Sequence, residues 1–307
     1  MEKFRKWIAL GVLIACFGAV AAAWRDPGAN HKVGRTAGGD RIAIIRVEGV
    51  LSGGASAEGW ENGAVGAETL AQQLNEARRD PHVKAVLLRI NSPGGSVSAA
   101  EETAREIARY KESGKPIVAS MGDMAASAGY WLAASCDKIY ANPSTLTGSI
   151  GVYVPYLNLE GLYDKLGVRQ EKIKSGIHKD ILSPERPMTP QEREILQTMV
   201  SEMYDTFVDV VSTGRHLSPE AVRKLADGRI YTGRQAKTLG LVDELGNFQD
   251  AIIATGVLAG LGETPEVREM GADFSWRRLF KAESLLQLMS RQMLDGSPAL
   301  NAPALPQ

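Results

Sequence analysis

The chain has 307 residues, 44% of them hydrophobic and 23% charged. That is enough for one large domain or two ordinary ones, and the balance excludes gross disorder. A formal net charge of −1 gives nucleic-acid binding no electrostatic footing as the main role, and two cysteines, Cys16 and Cys136, exclude a disulfide framework.

The N-terminus carries Lys3, Arg5 and Lys6 ahead of an uncharged run from Trp7 to Trp24. Eighteen helical residues at about 1.5 Å each span roughly 27 Å, close to the hydrocarbon thickness of a bilayer. Tryptophans at both ends suit the two interfaces, and basic residues before the run favour a cytoplasmic N-terminus with the remainder outside. The expected plan is therefore a cytoplasmic stretch at 1–6, a transmembrane helix at 7–24 and a linker at 25–40. The expected location is the cell membrane, as a single-pass protein with lipid around residues 7–24. Two other readings stay open. One is a signal peptide cleaved near Ala21 to Ala23, and the other is a lipoprotein signal at Leu13-Ile14-Ala15-Cys16. Cys136 reads as a small packed thiol.

From Arg41 the pattern becomes regular. Ile42 to Val47 is a short β-branched run that reads as a strand. Ala67 to Arg79 carries Leu70, Leu74 and Ala77 at helical spacing. Val83 to Ile90 reads as a second strand and ends at Asn91-Ser92-Pro93-Gly94-Gly95. Ala99 to Lys111 is helical, with Ala104, Ile107 and Ala108 on one face. Pro116 to Ser120 is a third strand. Thr189-Pro190-Gln191-Glu192 is a helix start with proline in the first turn, and that helix can run to about Thr213. Ser218-Pro219-Glu220 starts another. Residues 274–295 form a basic amphipathic stretch, and the tail after Gly296 is rich in Pro and Ala. Strands alternating with helices predict an α/β fold with a mostly parallel sheet covered by helices. The predicted body spans 41–262, followed by a C-terminal amphipathic segment and loose tail at 263–307.

Two loops carry chemistry. Ser92-Pro93-Gly94-Gly95 follows a buried strand, and glycines there let the backbone turn sharply and expose N–H donors to a ligand or oxyanion. The same residues also fit a plain strand-to-helix turn. No phosphate-loop pattern follows them. Met124-Ala125-Ala126-Ser127-Ala128-Gly129-Tyr130 places a serine among small neighbours just before the apolar segment Tyr130 to Ala134. A serine there can hold its oxygen near a helix N-terminus; equally, it can be a simple N-cap.

The pairing of these loops resembles the Clp-protease/crotonase superfamily, and within it the chain resembles the signal peptide peptidase A family. The resemblance runs from about Arg41 to Leu245. It rests on Asn91 to Gly95, Met124 to Tyr130, Leu146 to Val152, Lys174 to Asp180 and Asp227 to Ala236, five motifs in the family's order. It implies a Clp-protease/crotonase-like (ββα-superhelix) domain. It also implies a serine endopeptidase with a Ser/Lys dyad, acting on apolar peptides such as remnant signal peptides. Ser127 matches the nucleophile, Lys179 the general base, and Ser149 the serine that orients the lysine. The backbone N–H groups of Gly95 and Ala128 match the oxyanion donors. Where some members have further glycines, this chain has Ser96 and Ala128; an N–H donor survives either change. No cofactor or metal is implied. A homo-oligomer with sites shared between subunits is implied.

The chemistry sets a condition on Lys179. Free lysine titrates near pH ~10.4 and would be protonated, whereas burial can lower that by about 3–5 units and free the amine to take a proton from Ser127. The expectation is an apolar surrounding for the amine near Ser127 and Ser149, with Asp180 turned away. His178 is a rival base. Neighbours on a strand face opposite ways, so His178 and Lys179 are not expected to share a target. Two other classes are weighed against the peptidase: a non-catalytic membrane scaffold on the same fold, and a coenzyme-A-dependent crotonase enzyme, which would need an acidic catalytic residue by the glycine loop.

Overall fold

The computed structural model describes residues 39–56 and 63–271. The expected transmembrane helix at 7–24, the linker up to residue 38 and the amphipathic stretch at 274–295 lie outside those residues. Among the described residues, no helix is long and apolar enough to cross a membrane.

Strand β1 (Arg41–Glu48), strand β4 (Val83–Ser92) and strand β5 (Ile117–Ala126) form the centre of a mixed sheet. They pair in parallel, so both faces must be covered and the strands read as nearly unbroken apolar runs. Alternation within each run sorts the faces. Ile45, Val47, Val86, Leu88, Ile90, Ala119 and Met121 point into the main core. Ile42, Ile44, Ala85, Leu87 and Val118 point to a smaller core on the other side. The main core is closed by helices α1 (Ala67–Arg79), α2 (Val97–Lys111) and α3 (Ala128–Ala134), and by Phe207, Val208 and Val211 of the long helix α5 (Pro190–Arg215). The smaller core is closed by Ala251 and Ile252 of helix α8 (Phe248–Leu258).

The parallel path is completed by β6 (Lys138–Ala141) and β9 (Glu244–Leu245) on one side and β10 (Glu266–Glu269) on the other. Because β10 pairs with β1, the sheet continues past residue 262, where the sequence placed the end of the body. Short strands β2 (Val50–Ser52) and β3 (Ala64–Gly66) form a separate parallel pair. Three short helices, α4 (Glu160–Leu166), α6 (Pro219–Leu225) and α7 (Gly233–Thr238), lie between the larger elements. Cys136 is buried, its thiol donates to the Leu132 carbonyl at 3.4 Å, and burial pushes its pKa up.

The feature that builds the site is the length of β5. The sequence ended this strand near Ser120, but it runs to Ala126 by changing partners. Its first half pairs with β6, while Met124–Ala126 pair with strand β7 (Leu146–Gly148). Thr147 Oγ1 donates to the Ala125 carbonyl and Thr145 Oγ1 to the Gly122 carbonyl, both at 2.7 Å. These bonds fasten the extension. Strand β8 (Ile230–Thr232) then adds to β7 in antiparallel register.

Candidate active site

Ser127 sits where β5 ends and α3 begins, with φ 53° and ψ −123°. A non-glycine residue with positive φ is uncommon and costs on the order of 1–3 kcal/mol. The surroundings hold it there. Its N–H donates to the Gly148 carbonyl at 2.8 Å, and its carbonyl accepts from the Trp131 N–H at 3.0 Å. Trp131 is locked in the core against Phe207, with ring centroids 4.7 Å apart. The Ser127 side chain makes no capping bond to α3, so the plain N-cap reading does not describe it.

The glycine loop meets this turn. Gly94 has φ 107°, and a Cβ there would lie 2.7 Å from Ser127 Cβ and 3.0 Å from Ala128 N. Gly95 has φ 154°, and a Cβ would collide with the Leu51 carbonyl. That carbonyl accepts from the Ser96 N–H at 2.8 Å, and the Leu51 N–H donates to the Gly94 carbonyl at 2.8 Å. Ser92, fully buried, accepts from the Gly94 N–H at 3.1 Å. Among the described residues, neither the Gly95 nor the Ala128 N–H donates to a loop or turn carbonyl. Both therefore keep a donor for a ligand oxygen near Ser127.

Ser127, Gly95 and Ser149 line one cleft of roughly 840 Å³. Ser149 also has positive φ, 50°, and its N–H donates to the Arg229 carbonyl at 2.8 Å. The cleft's walls are mixed. Pro93, Val152, Tyr153 and Val200 are apolar or aromatic, whereas Gln197, Ser201 and Asp227 are polar. Apolar peptide substrates would call for an apolar pocket, and the cleft of one chain is mixed. Gln197, Val200, Ser201 and Tyr204 follow i, i+3, i+4, i+7 spacing on α5, a face that helical periodicity could have found. Asp227 is held below the usual carboxylate range by hydrogen bonds from the Arg229 side chain and backbone.

Lys179 does not line this cleft and is exposed. It lies in consecutive turns, with the Lys179 N–H donating to the Gly176 carbonyl at 3.2 Å and the Ile181 N–H to the His178 carbonyl at 3.1 Å. The strand assumed for His178 and Lys179 is therefore a turn. The two still diverge: His178 is half-buried with Nδ1 3.7 Å from Glu192 Oε1. The expected apolar surrounding for the amine is not met within one chain. The condition on Asp180 is met differently from a simple turning away. Its carboxylate accepts from Lys174 Nζ at 2.8 Å and from Arg186 Nε and Nη2 at 3.2 and 2.8 Å. Those hydrogen bonds, Arg186's foremost, hold its pKa well below the usual range.

Arg186 continues the chain of contacts. Its guanidinium donates to Glu192 at 2.6 and 2.8 Å. Glu192 in turn accepts from the Thr189 N–H at 3.0 Å and closes a capping box on α5. Bidentate bonding by Arg186, followed by the Thr189 backbone bond, lowers the Glu192 pKa to about 2. The sequence identified the Thr189 cap but not Arg186, which sits six residues from both carboxylates, a spacing that does not put residues on one face of a helix.

A parallel sheet that brings a strained serine, a glycine loop with donors to spare and a second serine into one cleft defines an α/β protein with a nucleophile-type site at a strand-to-helix turn. The profile of peptidase family S49 matches residues 109–261. The chain is 42% identical over 221 residues to a putative protease of Synechocystis, covering 72% of this chain and 75% of that protein. It is 41% identical over 212 residues to a putative signal peptide peptidase SppA of Enterococcus faecium, covering 69% and 62%. It is 40% identical over 223 residues to Protease 4 of Salmonella typhi, covering 73% of this chain but 35% of that longer protein. The chain belongs to peptidase family S49, and its mixed α/β architecture is consistent with the Clp-protease/crotonase-like fold of that family.

Proposed function

We propose that this chain is a membrane-anchored serine endopeptidase that cleaves apolar peptides, remnant signal peptides among them. Ser127 is the nucleophile, Lys179 the general base and Ser149 the residue that orients the lysine. The Gly95 and Ala128 N–H groups receive the oxyanion. The observation that carries this reading is the strained Ser127 backbone held against the Gly94-Gly95 loop, in a cleft shared with Ser149. Strain of that kind persists only where the surroundings over-determine it, and it gathers at functional sites. In the reaction, Ser127 Oγ attacks the peptide carbonyl as its proton passes to the neutral Lys179 amine. The two backbone donors stabilise the resulting oxyanion, and the protonated amine then gives its proton to the leaving nitrogen.

Lys179 reaches Ser127 from a neighbouring copy of the chain in a homo-oligomer. The segment around Lys179 supports this reading, because it exposes large apolar side chains: Ile173 and Ile177, with Tyr153, Leu157 and Leu166 upstream, each more than 60% exposed. Exposed apolar groups concentrated in one segment mark an interaction surface. Burial there would supply the desolvation that Lys179 needs. The anchor is residues 7–24, with the N-terminus cytoplasmic and the peptidase body, from residue 41 through strand β10, outside. The names of the relatives support peptide substrates.

A fluorophosphonate probe tests the assignment. It should label the wild type and not Ser127→Ala, and an apolar reporter peptide should be cleaved by neither Ser127→Ala nor Lys179→Ala. Turnover retained by either variant refutes its role.

A further inference from the structure

Among the charged groups outside the cleft, one cluster touches the segment that carries Lys179. Asp180 is the residue next to it. The Asp180 carboxylate is occupied on both oxygens by Arg186 and on one by Lys174. Arg186 is occupied on its other edge by Glu192, which is 1% exposed and fixed to the first turn of α5. The Tyr156 hydroxyl donates to the Arg186 carbonyl and ties the segment after the cleft serine, Ser149, to the same residue. Arg186 thus joins three parts of the chain: its guanidinium links the Lys179 turn to the start of α5, and its backbone carbonyl holds Tyr156 of the irregular run after Ser149.

We infer that Arg186 is the positioning residue of the catalytic lysine: it clamps the Lys179 turn to helix α5 and holds the neighbouring Asp180 carboxylate away from the lysine amine. This rests on the reading of Lys179 as the general base. The geometry gives the clamp two separable effects. Two forked pairs, one to each carboxylate, restrict rotation about Arg186 in a way that a lysine's single point charge does not. The clamp also removes a local hazard. A carboxylate free to swing onto the amine would favour its charged form, disarming the base at neutral pH. The charged groups around Asp180 are Lys174 and Arg186, with Glu192 and the His178 imidazole on the far side of Arg186. The Lys172–Glu185 pair bridges the two limbs of the same loop. Among the described residues, no carboxylate is within ion-pair distance of the Lys179 amine.

The sign of the pH effect follows. Turnover by a lysine base rises as the amine loses its proton, so a higher amine pKa moves the acid limb of the kcat profile to higher pH. In the full-length assembled enzyme, Arg186→Met should lower kcat about 10–100-fold with little change in KM, as expected for a displaced catalytic group. Its acid limb should move up by roughly one pH unit. Asp180→Asn/Arg186→Met should keep the low kcat but return the limb to its wild-type position. Arg186→Lys, which keeps the charge and loses the forks, should lower kcat without moving the limb. A purely structural role would lower melting temperature and active-site titre but leave the limb in place.

A wild-type limb and kcat in Arg186→Met overturn the inference, as does an alkaline limb that persists in the double variant. Should Arg186→Met fail to melt cooperatively, Asp180→Asn and Arg186→Lys decide. A wild-type kcat in both overturns the clamp. Lys179→Met run alongside separates the two levels: if it turns over normally, the base assignment itself is wrong, whereas an inert Lys179→Met beside an unaffected Arg186→Met sinks only the clamp.

Discussion

Gly94→Ala probes the contact on which the site rests. The new Cβ would lie 2.7 Å from Ser127 Cβ and 3.0 Å from both the Ala126 carbonyl oxygen and Ala128 N, at φ 107°. Two costs add. An alanine at that φ strains the backbone by about 1–3 kcal/mol, and wedging a methyl group against backbone atoms costs about 1–3 kcal/mol more. The sum, about 2–6 kcal/mol, is below the middle of the roughly 5–15 kcal/mol by which domains are stable, so the variant should fold and melt roughly 5–20 °C lower. The larger effect is local. None of the three atoms is the far end of a flexible side chain, so relief requires moving the nucleophile turn or the glycine loop. A displacement of about 1 Å at a reacting group costs about a hundredfold in rate. The assay is the second-order rate of fluorophosphonate labelling, measured well below the melting temperature. Gly114→Ala is the control. It has φ 76° with nothing within 4 Å of the added methyl, so it carries the backbone cost and should label at the wild-type rate. Equal labelling rates for Gly94→Ala and wild type would refute the claim that the glycine loop positions Ser127.

Three further outcomes follow from the same geometry. The Glu192 pKa is lowered to about 2 from 4.5, with Arg186 as the main cause. A depressed carboxylate contributes stability above its unfolded pKa that is lost as pH falls through the folded value. Glu192→Gln should therefore melt lower than wild type at neutral pH and show a shallower loss between about pH 4.5 and pH 2; parallel melting curves through that window would remove Glu192 from the account. Trp131→Ala empties a core position that is 2% exposed and stacked on Phe207, which should cost about 3–5 kcal/mol in denaturant titration; a loss under about 1 kcal/mol would mean that α3 is not anchored there. Ser149→Ala should lower kcat of reporter cleavage by more than about tenfold with KM near wild type, and an unchanged kcat would strip Ser149 of its orienting role.

Legibility in the sequence followed the length of the pattern. Helix α1 was readable residue for residue because Leu70, Leu74 and Ala77 repeat with helical spacing over 13 residues. Strand β4 was readable because a parallel strand buried on both faces is an apolar run. Strands β7 and β8, three residues each, are too short to show a period. Strand β7, backed by β8, is what carries β5 beyond Ser120 to Ser127. The site shows the same division. Ser127, Ser149 and Gly95 share one cleft, yet Ser127 alone reads as a cap and the glycines alone as a turn; only the joint occurrence of the motifs distinguished them. The Asp180–Arg186–Glu192 clamp was invisible because its members depend on two turns and a helix start folding together, and no local periodicity encodes that.

The separation of Lys179 from the Ser127 cleft turns the question of the base into one of assembly. A same-chain route that lifted the 174–186 loop off α5 would break the Arg186 bonds to Glu192 and strip that carboxylate of its cation. A lysine lent by a neighbour needs no such rupture, since an exposed turn with Ile173 and Ile177 beside it can dock as it stands. The two routes differ in a mixing experiment. Co-assembled Ser127→Ala and Lys179→Ala chains are each inert alone. In a ring built from head-to-tail contacts, a random equal mixture gives each site a one-half chance of an intact serine and, independently, a one-half chance of an intact lysine from next door. About one quarter of wild-type turnover should return. Sites completed within single chains would return none. The readout is reporter cleavage by co-expressed, differently tagged chains purified through both tags, with assembly size checked by light scattering. Mixed assemblies of wild-type size that remain inert would place Lys179 with its own Ser127 or remove it from the reaction, and the single-chain variants already distinguish those two outcomes.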